Sequence, residues 1–173
     1  MHHPVRHKTQ PRETLKPRLV GRLLRRINDL PSTLSLTHGS SLKLGKVDAQ
    51  QLEQFCLSFP GAYVDHPFGE DSTVFKVRAG SDGKMFALLF RDARVNLKCD
   101  PLLAPGLRAE HAAITPGYHM SKKHWNTVAF GEVAEDFLRE LVEDSYDLVV
   151  SGLSRRQQEV LHWKGIIDGA AEH

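Results

Sequence analysis

Three short strand-like runs follow one another in the middle of this chain, and they constrain its fold more than any other feature. The runs are Val74–Ala79, Met85–Phe90 and Val95–Lys98. The segments between them, residues 80–83 and 91–94, are short and rich in Gly, Asp and Arg, which suits tight hairpins. Because strands joined by tight hairpins pair antiparallel, the pattern predicts a three-stranded antiparallel meander.

The segment before these strands is typical of a helix followed by irregular chain. Asp48 and Gln51 have the spacing of a capping box, in which each side chain accepts from the other residue's backbone N–H. Apolar residues follow at helical spacing until Pro60-Gly61 ends the helix. We expect Tyr63–Asp71, which contains the sequence His-Pro-Phe-Gly, to be irregular.

The segment directly after the meander predicts a short helix and a turn. Asp100-Pro101 is a favourable helix start, because Asp caps the first turn and Pro needs no hydrogen bond there. Pro105-Gly106 then interrupts the helix, which is therefore short or restarts. Thr115-Pro116-Gly117 predicts a turn, and a compact polar connection follows it.

The last part of the chain predicts one strand and two helices. Trp125–Phe130 is rich in aromatic and β-branched residues, as strands are. An apolar stripe at helical spacing covers residues 133–149, and a shorter helix is expected over residues 154–163. The whole order predicts an α+β fold, a two-layer sandwich in which the helices pack on one face of an antiparallel sheet.

The charge of the chain divides it in two. Residues 1–46 carry ten Lys or Arg and two acids, whereas residues 47–173 carry thirteen Lys or Arg and nineteen acids, so the net charges are +8 and −6. We predict a basic, disordered leader over 1–46, one folded domain over 47–163 and a tail over 164–173. Alternative interpretations of the leader are an organellar transit peptide, a basic arm for nucleic acid and a mis-assigned translation start.

Composition disfavours membrane proteins and disulfide-rich proteins. No segment approaches the roughly 20 apolar residues of a membrane helix, so we expect no membrane partner. Two cysteines, Cys56 and Cys99, are too few for a disulfide scaffold. We expect buried free thiols in a reducing compartment, and therefore a cytoplasmic protein.

The residues that carry chemistry lack the spacing of catalytic and metal sites. No two histidines have the spacing of zinc ligands, and the chain has no Gly-rich phosphate loop, nucleophile elbow or paired carboxylates. We predict no enzyme activity, no metal and no cofactor. The alternative is an unrecognised small-molecule enzyme, with Cys99 beside Lys98 as a reactive thiol or His119 as an acid–base group.

Alternation along the predicted strands brings polar and cationic side chains to common faces. Lys76 and Arg78 share one face of the first meander strand, and Asn96 and Lys98 share one face of the third. If these faces coincide, the sheet presents a basic surface that can neutralise nucleic-acid phosphates. Four residues of the polar connection before the last strand border this surface: His119, Lys122, Lys123 and His124.

Several motifs, in order, give the folded part a family resemblance. They include Phe59-Pro60-Gly61, Val74-Phe75-Lys76-Val77, Leu107-Arg108 and the run from Gly117-Tyr118-His119-Met120 to Lys122-Lys123-His124-Trp125. Over about residues 48–160 the sequence resembles the MmcQ/YjbR family of small bacterial proteins. The resemblance implies a frataxin-like (CyaY-like) fold and a DNA-binding function described as a double-wing motif. It adds Arg108 to the basic residues expected to contact DNA.

These observations predict DNA binding that is weak and largely independent of sequence. No helix carries an obvious set of base-reading Arg, Asn or Gln side chains, so the expected contacts are with phosphates. An exposed Tyr118 or Trp125 would add stacking on bases, although Trp125 is expected in the core, as large aromatic residues usually are. Two alternatives remain: a protein-interaction module that binds no nucleic acid, and the small-molecule enzyme.

Overall fold

Helix α1 spans Ala49–Leu57 and begins at the predicted capping box. The computed structural model describes residues 47–69, 71–78 and 83–161. The Asp48 carboxylate accepts from Gln51 N at 2.7 Å, and the Gln51 side chain accepts from Asp48 N at 3.1 Å. These bonds satisfy backbone N–H groups that no preceding turn can bond. The predicted capping box is confirmed.

Six strands form one antiparallel sheet. In chain order they are β1 (Ala62–Asp65), β2 (Ser72–Arg78), β3 (Gly83–Phe90), β4 (Arg94–Lys98), β5 (Ile114–Pro116) and β6 (Trp125–Ala129). Their order across the sheet is β1-β2-β3-β4-β6-β5, so β2, β3 and β4 are neighbours. The predicted meander and the predicted fourth strand, β6, are confirmed.

Two edge strands overlap segments that the sequence predicts to be irregular chain or a turn. The predicted irregular stretch is wrong over residues 63–65, whereas residues 66–69 and 71 lie outside helices and strands as predicted, and the predicted turn is wrong over residues 115–116. β1 pairs with β2 from Ala62↔Val77 to Asp65↔Val74. β5 pairs with β6 and includes Pro116, which lacks an N–H but is tolerated because an edge strand bonds on one side only. Both strands are too short for an alternating pattern to show in the sequence.

Helix α2 (Ala104–Glu110) begins later than predicted and runs without a break. The Asp100 carboxylate accepts from the backbone N–H two residues later at 2.8 Å and holds a turn before the helix. Pro105 lies in the first helical turn, where its missing N–H is harmless because that group has no acceptor within the helix. The predicted interruption at Pro105-Gly106 is therefore wrong, but the helix is short, as predicted, with seven residues, and Arg108 lies in its continuous part.

Helix α3 (Glu135–Ser151) is the long helix predicted near the end of the chain, and it packs against β3 and β4. A single 3-10 turn, Phe130–Glu132, precedes it. Glu135 and Asp136 lie in its first turn, where the positive end of the helix dipole favours carboxylates.

A side chain of α3 completes the sheet between β3 and β4, which pair over only three residues each. Ser145 Oγ donates to Phe86 O and accepts from Lys98 N at 2.7 Å. The hydroxyl bridges two backbone groups that do not bond each other. This bond explains why a polar residue is fully buried on the apolar face of the helix.

The hydrophobic core lies between α1, α3 and one side of the sheet. Phe86 is fully buried there, and its ring packs edge-on against Phe59 and Tyr146 with centroids 6.0 and 5.5 Å away. The Tyr146 hydroxyl donates to Pro60 O at 2.7 Å, and burial, with a smaller contribution from Asp147, raises the pKa of this phenol to about 12. The predicted α+β fold with helices on one face of the sheet is confirmed.

Some of the predicted organisation lies outside the described residues. This applies to the leader over 1–46, most of the hairpin connection at 80–83, the tail over 164–173 and the end of the last predicted helix, of which residues 155–161 are helical. The division into leader, domain and tail therefore stays a prediction. Among the residues that the structure describes, no helix combines the length and the apolar character needed to cross a bilayer.

Candidate nucleic-acid interface

The strand register places the predicted residues of β2 and β4 on the same side of the sheet. Val74 pairs with Leu88, and Leu88 pairs with Asn96, so these three side chains share one side. Lys76 lies two residues after Val74, and Lys98 lies two residues after Asn96, so they belong to that side as well. The two predicted faces therefore coincide. This is the loop side of the sheet, and the side that carries α1 and α3 is the helical side.

The middle of the loop side is buried rather than solvated. Val74 and Leu88 are 1% and 6% exposed, and Asn96 and Thr127 are 0% and 2% exposed. The expectation that Asn96 belongs to a solvated basic surface is therefore wrong. A polar residue in an alternating strand predicts exposure only where no other segment folds over that face of the sheet. Here residues 117–124, which we call the 117–124 loop, fold over the loop side and contact Asn96.

A buried hydrogen-bond network ties the 117–124 loop to the loop side. Asn96 Nδ2 donates to Tyr118 O at 2.8 Å, and Tyr118 N donates to Thr127 Oγ1 at 2.8 Å. Thr127 Oγ1 donates in turn to Asn96 Oδ1 at 2.6 Å. Because these groups are removed from water, a bond left unmade would cost the desolvation of its partner. The network therefore fixes the backbone of Tyr118.

Gly117 allows the loop to approach β6 closely. A Cβ at this position would lie 2.7 Å from Trp125 Cβ and 2.9 Å from Trp125 O, so a larger residue would force the two segments apart. Gly117 N donates to Trp125 O at 2.9 Å in the same contact. Trp125 is buried, as predicted, but it lies outside the apolar cluster that joins the sheet to the helices.

Arg108 holds the end of the 117–124 loop. Its Nε donates to Asn126 Oδ1 at 2.7 Å, and its Nη2 donates to Lys122 O and, at 3.2 Å, to Trp125 O. A guanidinium suits this use because its donors point in fixed directions within one plane. Arg108, predicted to contact DNA, is therefore bonded within the protein and acts as a positioning residue for the loop.

The outer surface of the 117–124 loop carries an aromatic ring and cations. Tyr118 is 45% exposed, and His119, Lys122 and Lys123 are exposed beside it. His119 has a φ of 53°, in the left-handed region, and its ring lies edge-on to Tyr118 with centroids 4.0 Å apart. Lys122 also donates to a carbonyl at the start of the loop. The structure thus brings three predicted site residues together: His119, Lys122 and Lys123.

Two residues that the sequence patterns do not single out join this surface. The guanidinium carbon of Arg94 lies 5.1 Å from the centroid of the Tyr118 ring and 5.6 Å from that of Phe90. The rings of Phe90 and Tyr118 lie edge to face, with centroids 6.0 Å apart. No spacing in the sequence relates these residues, because their contact forms only when the loop folds over the sheet. Phe90, Arg94, Tyr118 and His119 are the aromatic–cationic cluster.

Lys76 and Arg78 lie on the loop side near β1, and both have partners there. Lys76 forms an ion pair with Asp65, and the hydrogen bond between them lowers the pKa of Asp65 and raises that of Lys76. The guanidinium carbon of Arg78 lies 4.6 Å from the centroid of the Tyr63 ring, and Arg78 is exposed. Because β3 separates β2 from β4, these cations lie about 10 Å from β4.

Lys98 and His124 are less accessible than the loop cations. Lys98 is half-buried opposite Trp125, and burial lowers the pKa of its ammonium group, with the charge of Lys84 acting in the same direction. The backbone of His124 joins the loop to the end of β4, because His124 O accepts from Cys99 N at 2.8 Å.

Neither cysteine is activated as a thiolate near neutral pH. Cys56 and Cys99 are free, and burial raises the pKa of each to about 12, so neither is ionised near neutral pH. The raised pKa does not favour the alternative of a reactive thiol at Cys99, which stays a prediction. Across residues 47–69, 71–78 and 83–161, no three His, Cys, Asp or Glu side chains are grouped so as to hold a metal ion.

Comparison with known proteins identifies the family. Residues 57–148, more than half of the chain, match the family model of YjbR. The chain belongs to the YjbR family. The matched region includes both Arg94 and the 117–124 loop, so the aromatic–cationic cluster lies within the domain that defines the YjbR family.

Two relatives align with this chain over nearly their whole length. YbdF of Escherichia coli O157:H7 is 38% identical over 122 residues, which are 65% of this chain and 96% of YbdF. YjbR of Escherichia coli K12 is 30% identical over 115 residues, which are 64% of this chain and 94% of YjbR. Both relatives are described as uncharacterized proteins, so the likeness establishes the family without an activity.

Two solved structures share the fold of this YjbR-family chain. The Deinococcus radiodurans protein DR2400, which has a DUF419 domain, matches with a TM-score of 0.61 at 36% identity over 65% of this chain and 86% of its own. A Pseudomonas syringae protein matches with a TM-score of 0.51 at 30% identity over 59% of this chain and 98% of its own.

Proposed function

We propose that this YjbR-family protein is a cytoplasmic DNA-binding protein that makes weak, largely sequence-independent contacts with phosphates. The observation that best supports the proposal is the 117–124 loop, whose backbone is held by buried hydrogen bonds while Lys122 and Lys123 are exposed. Lysine ammonium groups neutralise phosphates and release condensed counterions, which favours association. Because the loop is already ordered, binding loses little conformational entropy.

The polar side chains near this loop suit phosphates better than bases. Asn side chains are well suited to reading base edges, but Asn96 and Asn126 are buried and bonded to the loop or to Arg108. Lysine is a point charge that binds phosphate oxygens without reading sequence. We therefore expect different duplex sequences to compete equally.

The charge distribution limits both the affinity and the number of contacts. Residues 47–173 have a net charge of −6, so DNA has to approach a local basic patch. The donors of Arg108 bond groups within the protein, and the charge of Lys76 is balanced by Asp65. The ammonium of Lys122 bonds a backbone carbonyl, which carries no net charge. The proposal therefore assigns the main phosphate contacts to the exposed lysines of the loop, Lys122 and Lys123, with the exposed side chain of His119 beside them, and secondary contacts to Arg78, Lys98 and His124.

Fluorescence anisotropy of a labelled DNA duplex tests this proposal with the full 173-residue chain. Two variants lose the same charge from adjacent cations: K122A/K123A in the 117–124 loop, and R25A/R26A in the basic leader. We expect K122A/K123A to bind about five- to tenfold more weakly than R25A/R26A, because the loop cations contact phosphates in a fixed arrangement.

The matched pair separates the possible outcomes. Loss of binding in R25A/R26A alone would assign binding to the leader and contradict the proposal. Absence of binding by the unsubstituted chain would also contradict it and would favour the protein-interaction module. The proposal includes no catalytic activity, no metal, no cofactor and no membrane partner.

A further inference from the structure

We propose that the aromatic–cationic cluster stacks on an unpaired nucleobase, so that the protein prefers single-stranded to duplex nucleic acid. The inference rests on the proposed function, because Lys122 and Lys123 would hold the phosphates of the same strand. It names the substrate class of that site and assigns a contact role to Tyr118 and Arg94.

Tyr118 combines a fixed backbone with an exposed ring. Its O accepts from Asn96, and its N donates to Thr127. The residue is nevertheless 45% exposed, whereas large aromatic residues are usually highly buried. Stacking on such a ring adds affinity for any base, because every base has a π face. A ring that is already in place binds a base with little ordering cost.

Arg94 and Phe90 hold the ring in position. The guanidinium of Arg94 lies over Tyr118 at 5.1 Å from its centroid, and Asp92 accepts from Arg94 Nε at 2.8 Å. Phe90 meets the ring edge to face at 6.0 Å. Arginine stacks on aromatic faces and adds a cation–π contribution to the binding of single strands. The cluster therefore joins an aromatic platform to a guanidinium that an ion pair with Asp92 holds in place.

The cations of the loop complete a site for a single strand. Lys122 and Lys123 follow Tyr118 closely in the chain and are exposed with His119 on the same loop. In a duplex the bases are paired and their faces are covered by the neighbouring bases. The Tyr118 ring could therefore stack on a base of a duplex only if that base were flipped out, which costs the free energy of unstacking. A single strand offers both phosphates and free base faces.

Three labelled probes of equal length test the inference with the full chain. They are a single thymidine strand, a DNA duplex, and an abasic strand that keeps every phosphate but carries no bases. We expect the thymidine strand to bind at least about fivefold more tightly than the abasic strand, and more tightly than the duplex. K122A/K123A should weaken the binding of all three probes.

Two variants of the ring sharpen the test. Tyr118→Phe keeps the aromatic face, whereas Tyr118→Leu keeps apolar volume without it, and thermal melting checks that both fold. We expect Tyr118→Phe to retain the preference for the thymidine strand and Tyr118→Leu to bind it no better than the abasic strand. If Tyr118→Leu does not fold, the abasic and thymidine strands still decide the question with the unsubstituted chain.

Failure of the inference is distinguishable from failure of the proposed function. Equal binding of the three probes, with loss in K122A/K123A, would overturn base stacking and leave phosphate binding by the loop intact. Unchanged binding of every probe in K122A/K123A would overturn phosphate binding by the loop, and if the unsubstituted chain also binds the thymidine and abasic strands equally, base stacking is overturned with it.

Discussion

The two sides of the sheet are held by different forces. On the helical side, Phe86 and its neighbours pack against α1 and α3, and burial of apolar surface dominates. On the loop side, apolar residues such as Val74 are buried too, but the backbone of the 117–124 loop is held by hydrogen bonds from or to Asn96, Thr127 and Arg108. Apolar burial is not directional, whereas hydrogen bonds fix direction. The helical side therefore supplies most of the apolar core, whereas the directional bonds of the loop side hold a charged, aromatic surface in a defined position.

The largest expected effect is on the helical side. Phe86→Ala should lower the free energy of unfolding by about 3–5 kcal/mol, because the ring is fully buried and its removal leaves a cavity against Phe59 and Tyr146. Urea denaturation measures the change. A loss below about 1 kcal/mol would show that this side is packed too loosely to carry the stability of the domain.

The next effect separates the loop side from general stability. Thr127→Val removes the hydroxyl that bonds both Asn96 and Tyr118, so we expect a loss of about 1–3 kcal/mol together with weaker DNA binding. Thr115→Val is the matched control, since Thr115 lies opposite Thr127 in the register but is exposed at the sheet edge. Equal behaviour of the two variants, by urea denaturation and anisotropy, would contradict the role of the buried network.

Alkaline pH tests the helical side through Cys56. Its pKa is about 12 in the folded protein against an ordinary value of 9.0, so between these values the thiol ionises only when the chain unfolds. The corresponding stability is fully present below pH 9.0 and is lost as the pH rises toward 12. We expect the free energy of unfolding to fall by about 1.4 kcal/mol per pH unit for this group.

Cys56→Ala should remove the contribution of this thiol to the dependence of the free energy of unfolding on pH. Urea denaturation at several pH values above neutral measures the slopes of the two chains. Identical slopes would mean that Cys56 is ionised as readily in the folded protein as in the unfolded chain.

The smallest expected effect concerns the cation near β1. Lys76→Ala should weaken DNA binding less than Lys122→Ala, because Lys76 is already paired with Asp65. Asp65→Asn removes that partner and should strengthen binding slightly. Anisotropy with one duplex compares the three variants. A larger loss in Lys76→Ala than in Lys122→Ala would place the interface at β1 instead of at the 117–124 loop.

Sequence patterns predict the parts of this fold whose signals are local. The β2–β4 meander and α3 are long enough for alternation or helical spacing to show, and the capping box at Asp48 needs only neighbouring residues. β1 and β5 have four and three residues, so no periodicity can show in them. A proline such as Pro105 is compatible either with a break inside a helix or with the first turn of a helix, and only the position of the helix start decides between the two.

The sequence likewise predicts only those parts of the candidate site whose residues are neighbours in the chain. Lys122 and Lys123 are adjacent in the sequence and exposed together in the structure. Asn96 was expected at the surface, but its partner Tyr118 lies far along the chain, and only the tertiary fold brings it over the strand. The same is true of Arg94, whose contact with Tyr118 no spacing can indicate.

The salt dependence of duplex binding tests the central claim most directly. The logarithm of the association constant is measured against the logarithm of salt concentration for the full chain and for K122A/K123A. Each phosphate contact on duplex DNA contributes about 0.9 to the slope, so the loss of two contacts should make the slope less negative by about 1.8. An unchanged slope would contradict the claim that the 117–124 loop holds the phosphates.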